Sequence, residues 1–290
     1  MRKLALSDEI LLKVDKAARY IGGEVNSVMK DKNEVEIRFA MCFPDVYEIG
    51  MSNLGMMILY NMFNQREDVW CERLFSPWPD LDKVMREKKI PLFALESQEP
   101  IRDFDFLGIT IGYEMCYTNI LQVLDLSGIP LKSADRGEDF PIVIGGGACA
   151  YNPEPLAPFF DMFYIGEGET VYDALFDAYK ANKKAGGSRK DFLLAAAKIP
   201  GIYVPSLYEV TYKEDGTIAS FAPTADGVPE KVQKQLIIDM EKEYRAVEAP
   251  VVPHIKATQD RVTLEIQRGC IRGCRFCQAG MIYRPTRERD

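Results

Sequence analysis

Between residues 35 and 180 the chain alternates short apolar runs with segments whose apolar residues recur every three or four positions. The runs at 35–42, 69–74, 91–95, 106–112, 141–145 and 161–165 have the length and the Val, Ile, Phe and Leu content of buried strands. The intervening stretches at 54–63, 81–88, 119–126 and 171–179 place their apolar residues on one helical face. Strand followed by helix, repeated, predicts an open parallel sheet with helices on both faces, a Rossmann-like α/β domain over residues 34–185. Ahead of it, residues 1–33 read as a helical extension. Ser7 is placed to cap a helix carrying Ile10, Leu11, Val14, Ala17 and Ala18 and ending at Gly22 and Gly23.

From 186 to 257 the pattern is looser and reads as a connector. It holds a short helix at 191–198 and two strands, 203–212 and 218–221, around a hairpin turn at 214–217. The prolines Pro250 and Pro253 then lead into residues 258–290. There Val262, Leu264 and Ile266 alternate with polar residues, the pattern of a further strand. Composition changes this picture little. Of 290 residues 47% are hydrophobic and 28% charged, as in ordinary globular domains. No apolar run approaches the length of a membrane span, and the first residues lack a signal-peptide core. Seven cysteines without such a signal suit a reducing cytoplasm. A net charge of −8 argues against wholesale nucleic-acid binding, yet seven arginines lie between 261 and 289. Their plain role is to balance anionic thiolates and solvate a loop; their sharper one is to grip a carboxylate or phosphate.

Those arginines surround Cys270, Cys274 and Cys277, spaced C-x3-C-x2-C directly after the expected strand. Gly269 and Gly273 let such a loop wrap a compact inorganic object. Three thiolates can each hold one iron of a cubic iron–sulfur cluster, leaving the fourth iron open for chemistry. The competing reading is a zinc site with His254, the single histidine, as fourth ligand, although just one C-x2-C unit is present. In open sheets ligands bind beyond the carboxyl ends of the strands. Glycines stand at three such ends: Gly112, Gly145 to Gly147, and Gly166 with Gly168. Tight turns alone would also explain them. None forms a dinucleotide G-x-G-x-x-G fingerprint, no G-x4-G-K-[ST] loop occurs, and one histidine without a G-x-S-x-G elbow gives no hydrolase triad.

The cysteine spacing, with Phe276 before the last thiol and a strand before the first, resembles the signature of the radical SAM enzymes. The resemblance implies a [4Fe-4S] cluster on Cys270, Cys274 and Cys277, with S-adenosylmethionine chelated at the open iron near Phe276. It implies reductive cleavage to a 5′-deoxyadenosyl radical, driven by a reductant such as flavodoxin or ferredoxin. It also implies that residues 258–290 are the first strand and cluster loop of a truncated radical SAM (β/α) barrel. A complete barrel needs of order 150 further residues.

The preceding domain resembles the cobalamin-binding domain of one branch of that family. The features are Ser52 to Gly55, Leu107 to Thr110, Ile144 to Gly146 followed by Pro153, Glu154 and Leu156, then Asp161 and Gly166 to Glu169. By that resemblance Gly145, Gly146 and Gly147, with Thr110, would lie along the nucleotide tail of cobalamin. The D-x-H-x-x-G motif that supplies a cobalt-binding histidine in other cobalamin domains is missing. Either cobalamin binds without a protein imidazole or the fold persists without it. Gly166 to Glu169 precedes the cysteines by about a hundred residues, the wrong side for the glycine-rich acid strand of a radical SAM barrel. Its acids are expected to cap the next helix. The implied function is one part of a radical SAM enzyme for methylation or radical rearrangement of an unknown substrate. The alternative is a non-catalytic Rossmann-like binding module with structural zinc.

Overall fold

The computed structural model describes residues 3–243 and 246–290. Met1 and Arg2 of the expected extension, and Tyr244 and Arg245 of the connector, lie outside the described residues. The N-terminal segment is not the continuous helix its apolar spacing predicts. It makes one turn, α1 (Asp8–Leu11), where Ser7 has extended backbone but no side-chain capping bond, and then a short 3-10 turn at Ala17–Arg19. Lys16 between them takes φ 50°, which ends any helix. A stretch this short has little helical stability of its own. Contacts with the domain therefore decide its path. Arg19 donates to both carboxylate oxygens of Glu48 at 2.9 and 2.8 Å, and Glu24 pairs with the buried Arg73 at 2.8 Å.

The sheet domain follows the predicted alternation. Strand β1 (Ile37–Phe43) and the one-turn helix α2 (Tyr47–Gly50) lead to α3 (Leu54–Gln65). Asn53 caps α3 by accepting from Met56 N at 2.9 Å, an interaction worth about 1 kcal/mol. Next come β2 (Val69–Phe75), α4 (Pro79–Lys88), β3 (Phe106–Thr110), α5 (Tyr117–Leu126), β4 (Ile142–Gly146) and β5 (Met162–Tyr164). They are followed by α6 (Tyr172–Lys184), α7 (Arg189–Ala196) and β6 (Ile202–Tyr203). The strand order is β2-β1-β3-β4-β5-β6, parallel except for β6, which adds antiparallel to β5. Residues 91–95 form no strand; Phe93 makes a single bridge to Pro100.

Period-two alternation divides the two cores. Phe39, Met41 and Ile144 face α3, α6 and α7, while Ala40, Cys42 and Val143 face α4 and α5. Because β1 has β2 on one side and β3 on the other, the crossovers diverge between β1 and β3. The crevice at that switch point, beyond the strand ends, is where ligands of such sheets bind.

The connector forms the expected hairpin, β7 (Tyr208–Tyr212) with β8 (Ile218–Pro223), closed by Lys213 N donating to Thr217 O at 2.8 Å. A strap around Gln235 runs beside the loop after β5, and the one-turn helix α8 (Met240–Glu243) follows.

The last segment departs most from expectation. Residues 262–266 pair with no strand among the described residues, and Val262, Leu264 and Ile266 are 85%, 80% and 70% exposed. Alternation supplies an apolar face, but a strand also needs a neighbour for its backbone groups. Instead of a barrel strand there is a two-residue ribbon, β9 (Gln267–Arg268) antiparallel to β10 (Arg287–Glu288), with α9 (Ala279–Ile282) in the excursion between them.

Candidate functional site

A cavity of about 460 Å³ opens at the switch point, between the sheet and the segment that precedes the cysteines. Its floor is Phe39, Met41, Gly108 and Ile144; Leu59 of α3 and Tyr172 of α6 wall it, with Tyr164 at the end of β5. Thr110, Gly112, Gly146 and Gly147 lie at the strand ends, and Glu265, Gln267, Arg268, Gly269 and Tyr283 close the far side. The sheet side of this lining is largely apolar and aromatic and the far side carries charged and polar groups, a mixture that small-molecule pockets use. Burial raises the hydroxyls of Tyr164 and Tyr172 well above their ordinary value, so both stay protonated.

The three glycines at the end of β4 play different parts. A side chain at Gly146 would meet nothing within 4 Å, so its bare backbone faces the open cavity. Gly147 takes φ +104°, and a Cβ there would come within 2.9 Å of Ile111 O, so this turn requires glycine. Gly145 does not border the cavity. Its Cβ position lies 2.8 Å from Phe163 and 2.9 Å from Ile111, in the opposite core. The strand's alternation sends Ile144 and Gly146 one way and Val143 and Gly145 the other. Gly108, within the Leu107 to Thr110 stretch, has a part of its own that sequence context does not reveal. A Cβ there would stand 2.3 Å from the Phe39 ring, so glycine lets that ring lie flat on the cavity floor.

The acids of the loop after β5 do not cap α6, whose N-terminus has no side-chain capping bond. They reach across to the cysteine segment. Glu169 accepts from Arg268 at 2.6 Å, and Glu167 accepts from Arg268 at 3.1 Å, from Arg287 at 2.9 Å and from Ile237 N at 2.9 Å. Glu265 completes the set on Arg268 at 2.9 and 2.8 Å. All five side chains are largely buried. Burial opposes the charge of Arg268, but the carboxylates around it prevail and raise its pKa further. Two of the seven clustered arginines are thus largely buried ion-pair partners, while Arg261, Arg272, Arg275, Arg284 and Arg289 are exposed, the last of them 3.6 Å from Glu241.

The three thiols of the triad occupy one loop. Cys270 and Cys277 are half-buried and Cys274 exposed; Cys277 N donates to Cys274 O at 3.1 Å in a tight turn. Among the described residues no group of three His, Cys, Asp or Glu side chains is placed to hold a metal ion. The donor set is that of a three-thiolate site on an accessible loop, but its thiols do not converge. Phe276 is exposed to solvent beside them. His254 is not gathered with the cysteines. Its Nε2 lies 3.1 Å from Gly22 O and its backbone N donates to Tyr47 OH. Tyr47 holds the histidine's place in a D-x-H-x-x-G spacing, after Asp45 and before Gly50. It is turned inward, its hydroxyl donating to Glu24 at 2.9 Å. The other four cysteines are buried in the domain, and burial raises the pKa of each thiol.

The family described as radical SAM proteins, N-terminal, matches residues 55–205, just over half of the chain, and the chain belongs to that family. It is also similar to the uncharacterized protein MJ0966 of Methanocaldococcus jannaschii, 26% identical over 251 residues. That alignment covers 86% of this chain and 43% of the relative, so the chain spans less than half the length of the curated protein it matches. Among solved structures it is similar to the radical S-adenosylmethionine methyltransferase TsrM from Kitasatospora setae, solved with tryptophan and a SAM analogue. The identity is 16%, the TM-score 0.34, and the match covers 68% of this chain and 36% of that one. Among the described residues no helix is long and apolar enough to cross a membrane.

Proposed function

We propose that this chain is the cofactor-presenting part of a radical SAM enzyme. In this reading the cavity at the strand ends takes the nucleotide tail of cobalamin, and Cys270, Cys274 and Cys277 anchor a [4Fe-4S] cluster that binds S-adenosylmethionine. The observation that carries it is the position of the cavity: bare backbone at Gly146 borders it at the strand ends, and its far wall, through Gly269, runs directly into Cys270. The volume falls within the range of small-molecule sites of about 300–1,000 Å³. It suits the tail rather than the whole macrocycle. When bound, these groups supply reductive cleavage to a 5′-deoxyadenosyl radical and methyl transfer, with the electron from a carrier such as flavodoxin or ferredoxin.

The chain's own residues bind, orient and exclude water. Phe39 at the floor and Tyr164 and Tyr172 at the wall give an aromatic lining, and Thr110 offers a hydroxyl at the strand ends. With Tyr47 bonded to Glu24 and His254 beside Gly22, neither side chain is turned toward the cavity mouth as a ligand to cobalt. The overall reaction in this reading is methylation or radical rearrangement of an unidentified substrate.

The test is equilibrium binding of hydroxocobalamin to residues 1–290. We expect binding at tens of micromolar or tighter, about −6 kcal/mol, weakened about tenfold by Gly146→Leu, and no imidazole hyperfine coupling at cobalt. No binding at that concentration, or a protein imidazole on the metal, would sink the cobalamin assignment. Anaerobic reconstitution should give about four irons per chain, lost in Cys270→Ala, Cys274→Ala or Cys277→Ala. Stoichiometric zinc in place of iron and sulfide would favour the structural-zinc module.

A further inference from the structure

The ion pairs that join the loop after β5 to the cysteine segment bear on the position of the first thiol. Arg268 and Arg287 are direct register partners across the β9–β10 ribbon. Like charges placed opposite one another destabilise a ribbon. Glu167 lies between them and accepts from both, and Glu265, three residues before Arg268, also accepts from that arginine. Docking on Glu167 therefore relieves a repulsion that Glu265 offsets on one side of the pair.

The other attachments of the segment are mostly polar. Its large apolar side chains at 262, 264, 266, 271, 276 and 281 are exposed, and Ile282 is buried. Lys234 donates to the carbonyls of Ile282 and Arg284, Arg287 donates to Ile237 O, and Glu241 accepts from Asp290 N and pairs with Arg289 at 3.6 Å. Glu167, Glu169 and Arg268 also line the cavity.

We infer that Glu167 and Glu169 form a clamp that positions the cysteine segment against the sheet domain and makes its order depend on what fills the cavity. Arg268 stands two residues before Cys270, so fixing its guanidinium fixes where the thiol loop leaves the domain. A ligand in the cavity would displace water from one side of the clamp. Lower local polarity strengthens the ion pairs, so an occupied cavity would hold the thiol loop more tightly than an empty one. Glu167 and Glu169 are positioning residues in this scheme. The clamp itself needs only the observed ion pairs; its coupling to a ligand rests on the proposed use of the cavity.

Hydrogen exchange on residues 1–290 separates the two parts. In Glu167→Gln/Glu169→Gln, amides of 265–289 should exchange about tenfold faster or more, while β1 and β3 keep their rates. Arg268→Met should do the same from the other side, and Arg268→Lys, which keeps the charge but not the fork, should fall between. Hydroxocobalamin should slow exchange at 265–289 in the native sequence and not in the doubly substituted protein. Unchanged exchange in Arg268→Met or in the double variant would overturn the clamp. Equal ligand protection in native and double-variant protein would overturn the coupling. If hydroxocobalamin fails to bind the native chain, the cobalamin reading and the coupling fall together, and the clamp is judged on the ligand-free rates. If the double variant does not fold, the Arg268 variants decide.

Discussion

The sheet domain and the cysteine segment read alike in sequence and behave differently in the fold. Both contain apolar residues in strand patterns. In β1 and β2 every residue is buried. In 262–266 the apolar residues face solvent, and the segment is held mainly by arginines. A strand pattern states which face is apolar; it does not supply the neighbouring strands that complete the backbone hydrogen bonds. In the domain those neighbours come from nearby crossovers. In the segment the anchoring is electrostatic and depends on acids about a hundred residues away.

The sharpest way to break this comparison is to substitute arginines in both regions. Arg73 is fully buried between Glu24 and Glu96 at 2.8 and 2.6 Å. Arg73→Met strands two buried carboxylates and should cost about 3–5 kcal/mol in urea unfolding. Exposed Arg272→Met should change stability by less than about 0.5 kcal/mol. Comparable losses would show that the segment is as integral to the fold as the sheet.

A smaller effect distinguishes the cavity floor from its opening. Gly108→Ala drives a methyl into the Phe39 ring and should cost about 1–3 kcal/mol. Gly146→Ala projects into open space and should be nearly neutral to unfolding while narrowing the cavity. Similar destabilisation by both would mean that Gly146 is packed, and the cavity closed, in solution.

Thiol chemistry sharpens the same contrast without destabilising anything. Before any metal is added, iodoacetamide should label Cys270, Cys274 and Cys277 in the folded chain. Burial should protect Cys42, Cys71, Cys116 and Cys149 until it is unfolded. Mass spectrometry of the native protein should therefore find three adducts; additional ones would expose the domain's cysteines as mobile.

The mildest expected effect concerns the N-terminal segment. Burial opposes the charge of Glu48, but hydrogen bonds from Arg19 and Lys16 outweigh it and bring its pKa from 4.5 to about 2. A depressed carboxylate pKa stabilises the fold above the unfolded value, and that contribution is lost as pH falls from about 4.5 to about 2. Arg19 also lies 5.3 Å from the Trp78 ring centre, so Trp78 fluorescence should report the loosening. Glu48→Gln should remove that acid transition; an unchanged titration would place its origin elsewhere.

Local pattern placed most of the sheet domain. Its five parallel strands and main helices sit within a few residues of where apolar spacing puts them, whereas the expected strand at 91–95 is absent and the sheet gains β6 from beyond residue 185. Spacing alone also made the cysteine triad conspicuous, and the glycine run at the end of the fourth strand pointed to the cavity's edge. Only the tertiary structure separated Gly145, turned into the opposite core, from Gly146, open to the cavity, since the register of a strand decides which face a residue meets. Only it showed Gly108 beneath Phe39, or matched Glu167 and Glu169 with Arg268 and Arg287 rather than with the helix that follows. Such pairings join charges far apart along the chain, and no local period records them. The physical reason is the same throughout: propensity and periodicity act between near neighbours, whereas burial, register and ion pairing are settled when distant segments compete for the same surface.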